Sequence, residues 1–339
     1  MRHRNQDQGK LTVYWVLPSV PEQSGGPLVA YRLAQLIGGD KLWSEVVLSR
    51  DRQNSQHLSL EQALHSARIA PDRHVFCVTF GPLVPAQIRQ IRAETTSPIV
   101  YYAQSFGWRQ HRVWFGASTL SLPGNPSIVT SSRYVMALWN MHAPNLRVAY
   151  IPPPLHPVFR SVSGAGLCGR DIDVLVHTRK QSRYCLNKLI PALTQSPLKI
   201  HVLTTWVSQQ ALAQLFNRTK VFLYHTPPFF RLRRQRFGEG FGLPPLEALA
   251  CGTHVVTNSL GGVNDFLDQS NATKLLSRDP VEDCQAITRA VDQYADQTAC
   301  AAAVVQAYSE DRVGCAWRHL LQKWFGPVSA CSESMTGRD

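Results

Sequence analysis

The stretch best suited to chemistry runs Glu239-Gly-Phe-Gly-Leu-Pro-Pro-Leu-Glu247-Ala-Leu-Ala-Cys-Gly252-Thr253. Gly240 and Gly242 let the backbone approach a ligand closely. Pro244 and Pro245 suit the first turn of a helix, Leu246, Leu249 and Ala250 give that helix an apolar face, and Gly252 ends it. A helix N-terminus fed by a glycine loop attracts anions. Glu239 before the loop and Glu247 within the helix supply two carboxylates, and carboxylates accept hydrogen bonds from sugar hydroxyls. Just upstream, Arg231, Arg233, Arg234 and Arg236 stand among phenylalanines. That mixture serves a phosphate lid, an acidic acceptor surface, RNA stacking or simply a solvated loop.

The elements that must position these residues are strands and helices in alternation. Leu11–Leu17 is a short apolar run ended by Pro18, read as a buried strand. Gly25, Gly26 and Pro27 then open a helix that stops at Gly38-Gly39, a pattern that a plain helix cap explains equally well. Further strands are expected near 43–48, 74–80, 98–103, 127–131 and 147–151, with helices near 84–93 and 133–140. Pro152-Pro153-Pro154-Leu155-His156-Pro157 breaks this series and reads as a linker. A second series follows. Strands are expected near 172–177, 198–203, 221–225 and 255–258, helices near 184–193, 209–216 and 244–250, and a mostly helical end over 281–325. Such alternation predicts parallel sheets covered on both faces, with ligands at the carboxyl ends of the strands.

Composition narrows the function classes. The 339 residues are 44% hydrophobic and 17% charged, which supplies a core and excludes wholesale disorder. The 35 Lys and Arg against 23 Asp and Glu leave a net charge of +12, favouring anionic partners. The eight cysteines form no CxxC pair, so reduced thiols in a cytoplasmic protein are expected and not a disulfide frame or zinc site. No apolar run reaches the ~18 residues of a membrane span, and the basic first ten residues lead to no signal-peptide core.

The Glu239–Thr253 string resembles the E-x7-E region of family-4 retaining glycosyltransferases of the GT-B fold. The resemblance continues through Val255-Val256 and Gly261-Gly262-Val263. It implies two Rossmann-like α/β domains facing a central cleft: an acceptor domain over 1–155 and a nucleotide-sugar donor domain over 156–325, then a flexible tail over 326–339. The last helix is one that can pack back on the first domain. In such a protein Glu239 contacts the donor sugar and Glu247 holds the ribose hydroxyls. The backbone amides of Phe241, Gly242 and Leu243 meet the sugar and distal phosphate, and Gly25 and Gly26 lie against the donor.

Three departures from the family pattern stand out. The family's Arg and Lys after the first strand of the second domain clamp the diphosphate. Here Arg179 fits the Arg position, but Tyr184 falls on the Lys position, leaving Arg183 as its substitute. A family His near mid-domain is replaced by the Tyr101–Ser105 segment. There Gln104 offers hydrogen bonds to sugar or acceptor but cannot take a proton. The basic loop over 231–236 is the third.

The resemblance implies a hexosyltransferase that moves a sugar from a nucleotide-diphosphate donor to a glycan, lipid-linked or small hydroxyl acceptor, with retention, in glycan, glycolipid or polysaccharide synthesis. No metal or other cofactor is expected, because helix dipole and basic side chains neutralise the leaving diphosphate. Location is expected in the cytoplasm, with peripheral contact to anionic membrane allowed and nucleic acid disfavoured. The rival readings are another GT-B activity, a sugar phosphorylase or nucleotide-sugar epimerase, and a non-catalytic basic protein that binds glycan or RNA.

Overall fold

The computed structural model describes residues 10–20, 25–50, 56–79, 84–106, 124–162, 169–179, 181–227, 229–231, 235–258, 261–295 and 298–326. The chain divides into two compact units. The first comprises Met1–Tyr101, Leu122–Ser127 and Gly314–Asp339, and the second Tyr102–Ser121 and Ile128–Val313.

Strands β1 (Leu11–Leu17), β2 (Leu42–Leu48), β3 (Leu58–Ser59), β4 (His74–Val78), β5 (Ile99–Ala103), β6 (Ser127–Thr130) and β7 (Val148–Tyr150) form a seven-stranded sheet in the order β3-β2-β1-β4-β5-β6-β7. β1 pairs in parallel with both β2 and β4. It is buried almost throughout, which explains its unbroken apolar run. Helix α1 (Gly25–Leu36) turns Val29, Ala30, Leu33 and Ala34 inward. Helix α2 (Leu60–Ile69) was not anticipated. Its signal is a capping box, in which Ser59 accepts from the Gln62 amide and the Gln62 side chain accepts from the Ser59 amide. Helices α3 (Val84–Glu94) and α4 (Arg133–His142) match the expected positions.

The second sheet is parallel, with order β14-β13-β10-β8-β9: β8 (Ile172–His177), β9 (Ile200–Leu203), β10 (Thr219–Tyr224), β13 (His254–Thr257) and β14 (Ala272–Lys274). Period-two alternation sends its residues into two cores. Leu175, Phe222 and Val255 join Phe216 of α6 (Gln209–Asn217) and Leu246 and Leu249 of α7 (Leu243–Ala250) on one face. Val174, Val176, Val221, Leu223 and Val256 join Leu189, Leu193 and Ile287 on the other. Leu189 closes a π-helical turn over Cys185–Leu189 that leads into α5 (Ile190–Thr194). Pro191, which has no N–H to continue an α-helical ladder, accounts for the irregularity. Ile287 lies on α8 (Pro280–Asp292), capped by Asp279.

Buried Arg170 ties this unit together. It donates to the carbonyls of Phe216, Thr219 and Cys251 and lies 5.4 Å from the centre of the Tyr294 ring. The basic segment contains a short antiparallel hairpin, β11 (Phe229–Arg231) and β12 (Gln235–Phe237), where only a loop was expected. Arg233 and Arg234 lie outside the described residues. The chain ends in α9 (Thr298–Ala307) and α10 (Glu310–Phe325). Within the first unit, Trp317 of α10 stands edge-on to Trp15 at 5.2 Å, and Arg318 donates to the Leu36 carbonyl.

Six described cysteines are free thiols, with Cys77, Cys185 and Cys251 buried. Among the described residues no helix is long and apolar enough to cross a membrane.

Candidate active site

The two glycine-bearing turns after β12 and β13 are built against each other. Gly242 sits at φ 95°, a left-handed conformation that lets the chain turn directly into α7, with Pro244 and Pro245 in that helix's first turn. At the other end Cys251 caps the helix and Gly252, at φ 76°, ends it. The Gly262 amide donates to the Glu239 carbonyl at 2.7 Å, and Glu239 and Gly261 form a parallel bridge. A Cβ on Gly262 would stand 2.2 Å from the Gly240 carbonyl oxygen, and one on Gly240 would stand 2.1 Å from the Gln104 carbonyl oxygen. Three stretches of backbone, at 104–105, 239–241 and 261–262, therefore meet where no side chain fits.

The first turn of α4 holds this assembly. The Ser132 hydroxyl donates to the Gly240 carbonyl at 2.5 Å and accepts from the Val135 amide at 3.1 Å. The Gly238 amide donates to the Tyr134 phenol at 3.0 Å. The Arg133 amide donates to the Asp265 carboxylate at 2.8 Å. Burial pushes the Asp265 carboxyl up, against the opposing pull of Arg133.

Both glutamates belong to this unit, and Glu239 lies at the carboxyl end of its parallel sheet. Tyr224, the last residue of β10, donates its phenol to a Glu239 carboxylate oxygen at 3.0 Å. Burial first, then the negative fields of Glu239 and Glu247, push that phenol well above its ordinary pKa. It stays protonated and keeps donating. Glu247 is only 9% exposed on α7. Phe241 turns its ring into the core against Phe266 and Tyr308, leaving its backbone at the turn.

Both basic candidates lie in the connection that follows β8. Arg179 follows β8 and is exposed, its guanidinium 4.0 Å from the centre of the Trp206 ring beyond β9. Arg183, also exposed, opens the next helix. Between them Gln181 donates to the carbonyls of His177 and Leu223 and accepts from the His225 amide, lacing the exits of β8 and β10. Ser182 and His225 pair at 2.8 Å, and burial holds the imidazole below its usual pKa. Tyr184 donates to Asp283 at 2.6 Å, so its phenol ties its helix to α8.

Gln104 follows β5, and its carbonyl accepts from Ser131 at 3.1 Å. Gly25 and Gly26 belong to the other unit, where they form the first turn of α1; a Cβ on Gly25 would meet open space. Tyr224, Ser132, Tyr134 and Asp265 were missed in the sequence reading. Among the described residues, no group of three or more His, Cys, Asp or Glu is arranged to hold a metal ion.

Residues 180–324 match the glycosyl transferase-like family model. Solved structures align over nearly the whole chain. Anabaena HepE in complex with UDP and glucose is 12% identical, covers 92% of this chain and 100% of its own, and has a TM-score of 0.63. Sucrose-phosphate synthase from Thermosynechococcus elongatus is 12% identical over 93% of this chain and 99% of its own, with a TM-score of 0.67. The chain has the GT-B fold. A third GT-B neighbour, a trehalose-phosphate synthase from Burkholderia xenovorans in complex with glucose-6-phosphate, is 14% identical over 93% of this chain and 100% of its own, with a TM-score of 0.60. No curated protein matches the sequence.

Proposed function

We propose that this GT-B protein is a retaining glycosyltransferase of the E-x7-E type, moving a hexosyl group from a nucleotide-diphosphate donor to a hydroxyl acceptor. The observation that carries the reading is the glycine turn of 239–242, pressed against 261–262 at the carboxyl end of the second sheet, with Glu239 held by Tyr224 and Glu247 one helix turn further on. The match of residues 180–324 to a glycosyl transferase-like model supports it.

In this reading residues 156–325 hold the donor. Glu247 accepts from the ribose hydroxyls, and the amides of Phe241, Gly242 and Leu243 face the sugar and distal phosphate at the N-terminus of α7. Glu239 lies beside the anomeric centre, where positive charge develops as the bond to the diphosphate breaks. The acceptor oxygen bonds the anomeric carbon on the same face, and its proton passes to the departing phosphate oxygen. Arg179 and Arg183 stabilise the charge on that leaving group. Gly25, Gly26 and Gln104 contribute donor and acceptor contacts. The net charge of +12 favours an acidic or lipid-linked acceptor and peripheral contact with anionic membrane from the cytoplasm.

HepE was solved with UDP and glucose, which makes UDP-glucose the first donor to try. The test follows UDP release with and without a glucoside or lipid-linked acceptor, and the anomeric configuration of the product by proton NMR. Acceptor-dependent release and an α-linked product from an α-linked donor are expected. Sugar 1-phosphate formed from a glycoside and inorganic phosphate, with no UDP released from the donor, points to a phosphorylase, and a β-linked product overturns retention.

A further inference from the structure

We propose that Trp206 is a positioning residue: its indole face holds the Arg179 guanidinium in the orientation that meets the donor diphosphate. The inference deepens the reading of Arg179 given above and rests on it.

Three observations converge. The Arg179 guanidinium carbon stands 4.0 Å from the Trp206 ring centre, well within cation–π range. The two loops that carry these residues are tied at their roots, since the Thr178 amide donates to the Leu203 carbonyl at 3.0 Å and its hydroxyl donates to the same oxygen at 3.3 Å. His177 completes the arrangement. Its Nδ1 accepts from the Arg179 amide at 3.2 Å, and its ring stands edge-on to Trp206 at 6.4 Å.

Arg179 is solvent-facing, and an unrestrained arginine loses most of its side-chain entropy when it binds phosphate. A large aromatic left 50% exposed at the end of a parallel sheet is out of place for packing alone. Stacked on it, the guanidinium keeps its edge N–H groups free of the ring and available for bidentate contact, while its flat face is already ordered. Phosphate binding then costs less ordering, which is how preorganisation raises affinity.

A double-mutant cycle on the full chain tests this. Affinity for UDP, GDP, ADP and inorganic pyrophosphate is measured by calorimetry for wild type, Trp206→Leu, Trp206→Phe, Arg179→Ala and Trp206→Leu with Arg179→Ala. For the diphosphate that binds best, Trp206→Leu should weaken affinity about two- to fivefold, the range of an exposed cation–π contact. Trp206→Phe should recover most of the loss. In the Arg179→Ala background Trp206→Leu should have no further effect, and pyrophosphate should show the same pattern. An equal Trp206→Leu loss with and without Arg179, or a loss for nucleotides with none for pyrophosphate, overturns the proposal in favour of direct contact between Trp206 and the base. Wild type that binds none of the four probes overturns instead the reading of this end of the sheet as a donor site.

Discussion

Replacing Gly262 by alanine separates the geometry of the glycine turns from their chemistry. Gly262 has no left-handed φ, so alanine is allowed there as backbone, and the whole effect is steric. Its Cβ would lie 2.2 Å from the Gly240 carbonyl oxygen and 2.8 Å from the Phe241 Cα, both backbone atoms. An ordinary carbon–oxygen contact needs about 3.3 Å, so one turn must retreat by about 1 Å. The moving segment carries Glu239 and is tied to Ser132 and Tyr134. Overpacking of this kind costs roughly 1–3 kcal/mol, which for a unit of this size lowers Tm by roughly 2–12 °C. The control is Gly25→Ala, whose Cβ meets open space in a helix and which should leave Tm equal or slightly raised. Thermal unfolding of both variants beside wild type makes the comparison. A Gly262→Ala protein that melts with wild type would refute the close-packed turns.

Three further perturbations have definite expected outcomes. Arg170→Met should destabilise by about 3 kcal/mol or more in urea unfolding, because the carbonyls of Phe216, Thr219 and Cys251 lose their buried donor; a change below 1 kcal/mol would contradict that role. Burial holds the imidazoles of His225 and His254 below their usual pKa, so the unfolded chain takes up protons there that the folded chain does not. That stability is fully present above pH ~6.5 and is lost as pH falls below it, by at most ~1.4 kcal/mol per pH unit for each histidine; urea midpoints over pH 5–8 should show it, and His254→Gln should flatten the slope. Arg179→Ala should lower kcat about 100-fold or more with a smaller change in donor KM, as for loss of a transition-state donor, and unchanged turnover in steady-state assays would remove Arg179 from the mechanism.

What the sequence made legible follows from how each element is stabilised. β8, β10 and β13 are buried on both faces, so their apolar runs announce them. α7 is announced by its ends, with Gly242 and two prolines at one and Gly252 at the other. β14 has three residues and, among the described residues, pairs only with β13, too little pattern to notice. The β11–β12 hairpin hides in a stretch whose arginines read as loop. Helix α2 carries a readable signal in its capping box at Ser59 and Gln62. In the site, the two glutamates and the glycines were visible because close backbone approach demands glycine, and glycine cannot be disguised. Ser132, Tyr134 and Asp265 were invisible. Their types are ordinary, and Ser132 is 108 residues from its partner Gly240. Tyr224 ends an apolar strand and looks like core until its phenol is seen on Glu239.

Nucleotide binding through Glu247 is the most direct test. A thermal-shift titration of wild type and Glu247→Gln with UDP, GDP and ADP reads it without knowledge of the acceptor, since a ligand raises stability as RT ln(1 + [L]/Kd). One nucleoside diphosphate should raise the Tm of wild type. Glu247→Gln keeps the shape of the side chain but weakens a charge-assisted bond by ~1–2 kcal/mol, so it should need roughly 5- to 30-fold more of the same ligand for an equal shift. Wild type that responds to none of the three, or a Glu247→Gln protein that responds as wild type does, would contradict the assignment of this site to a nucleotide-sugar donor.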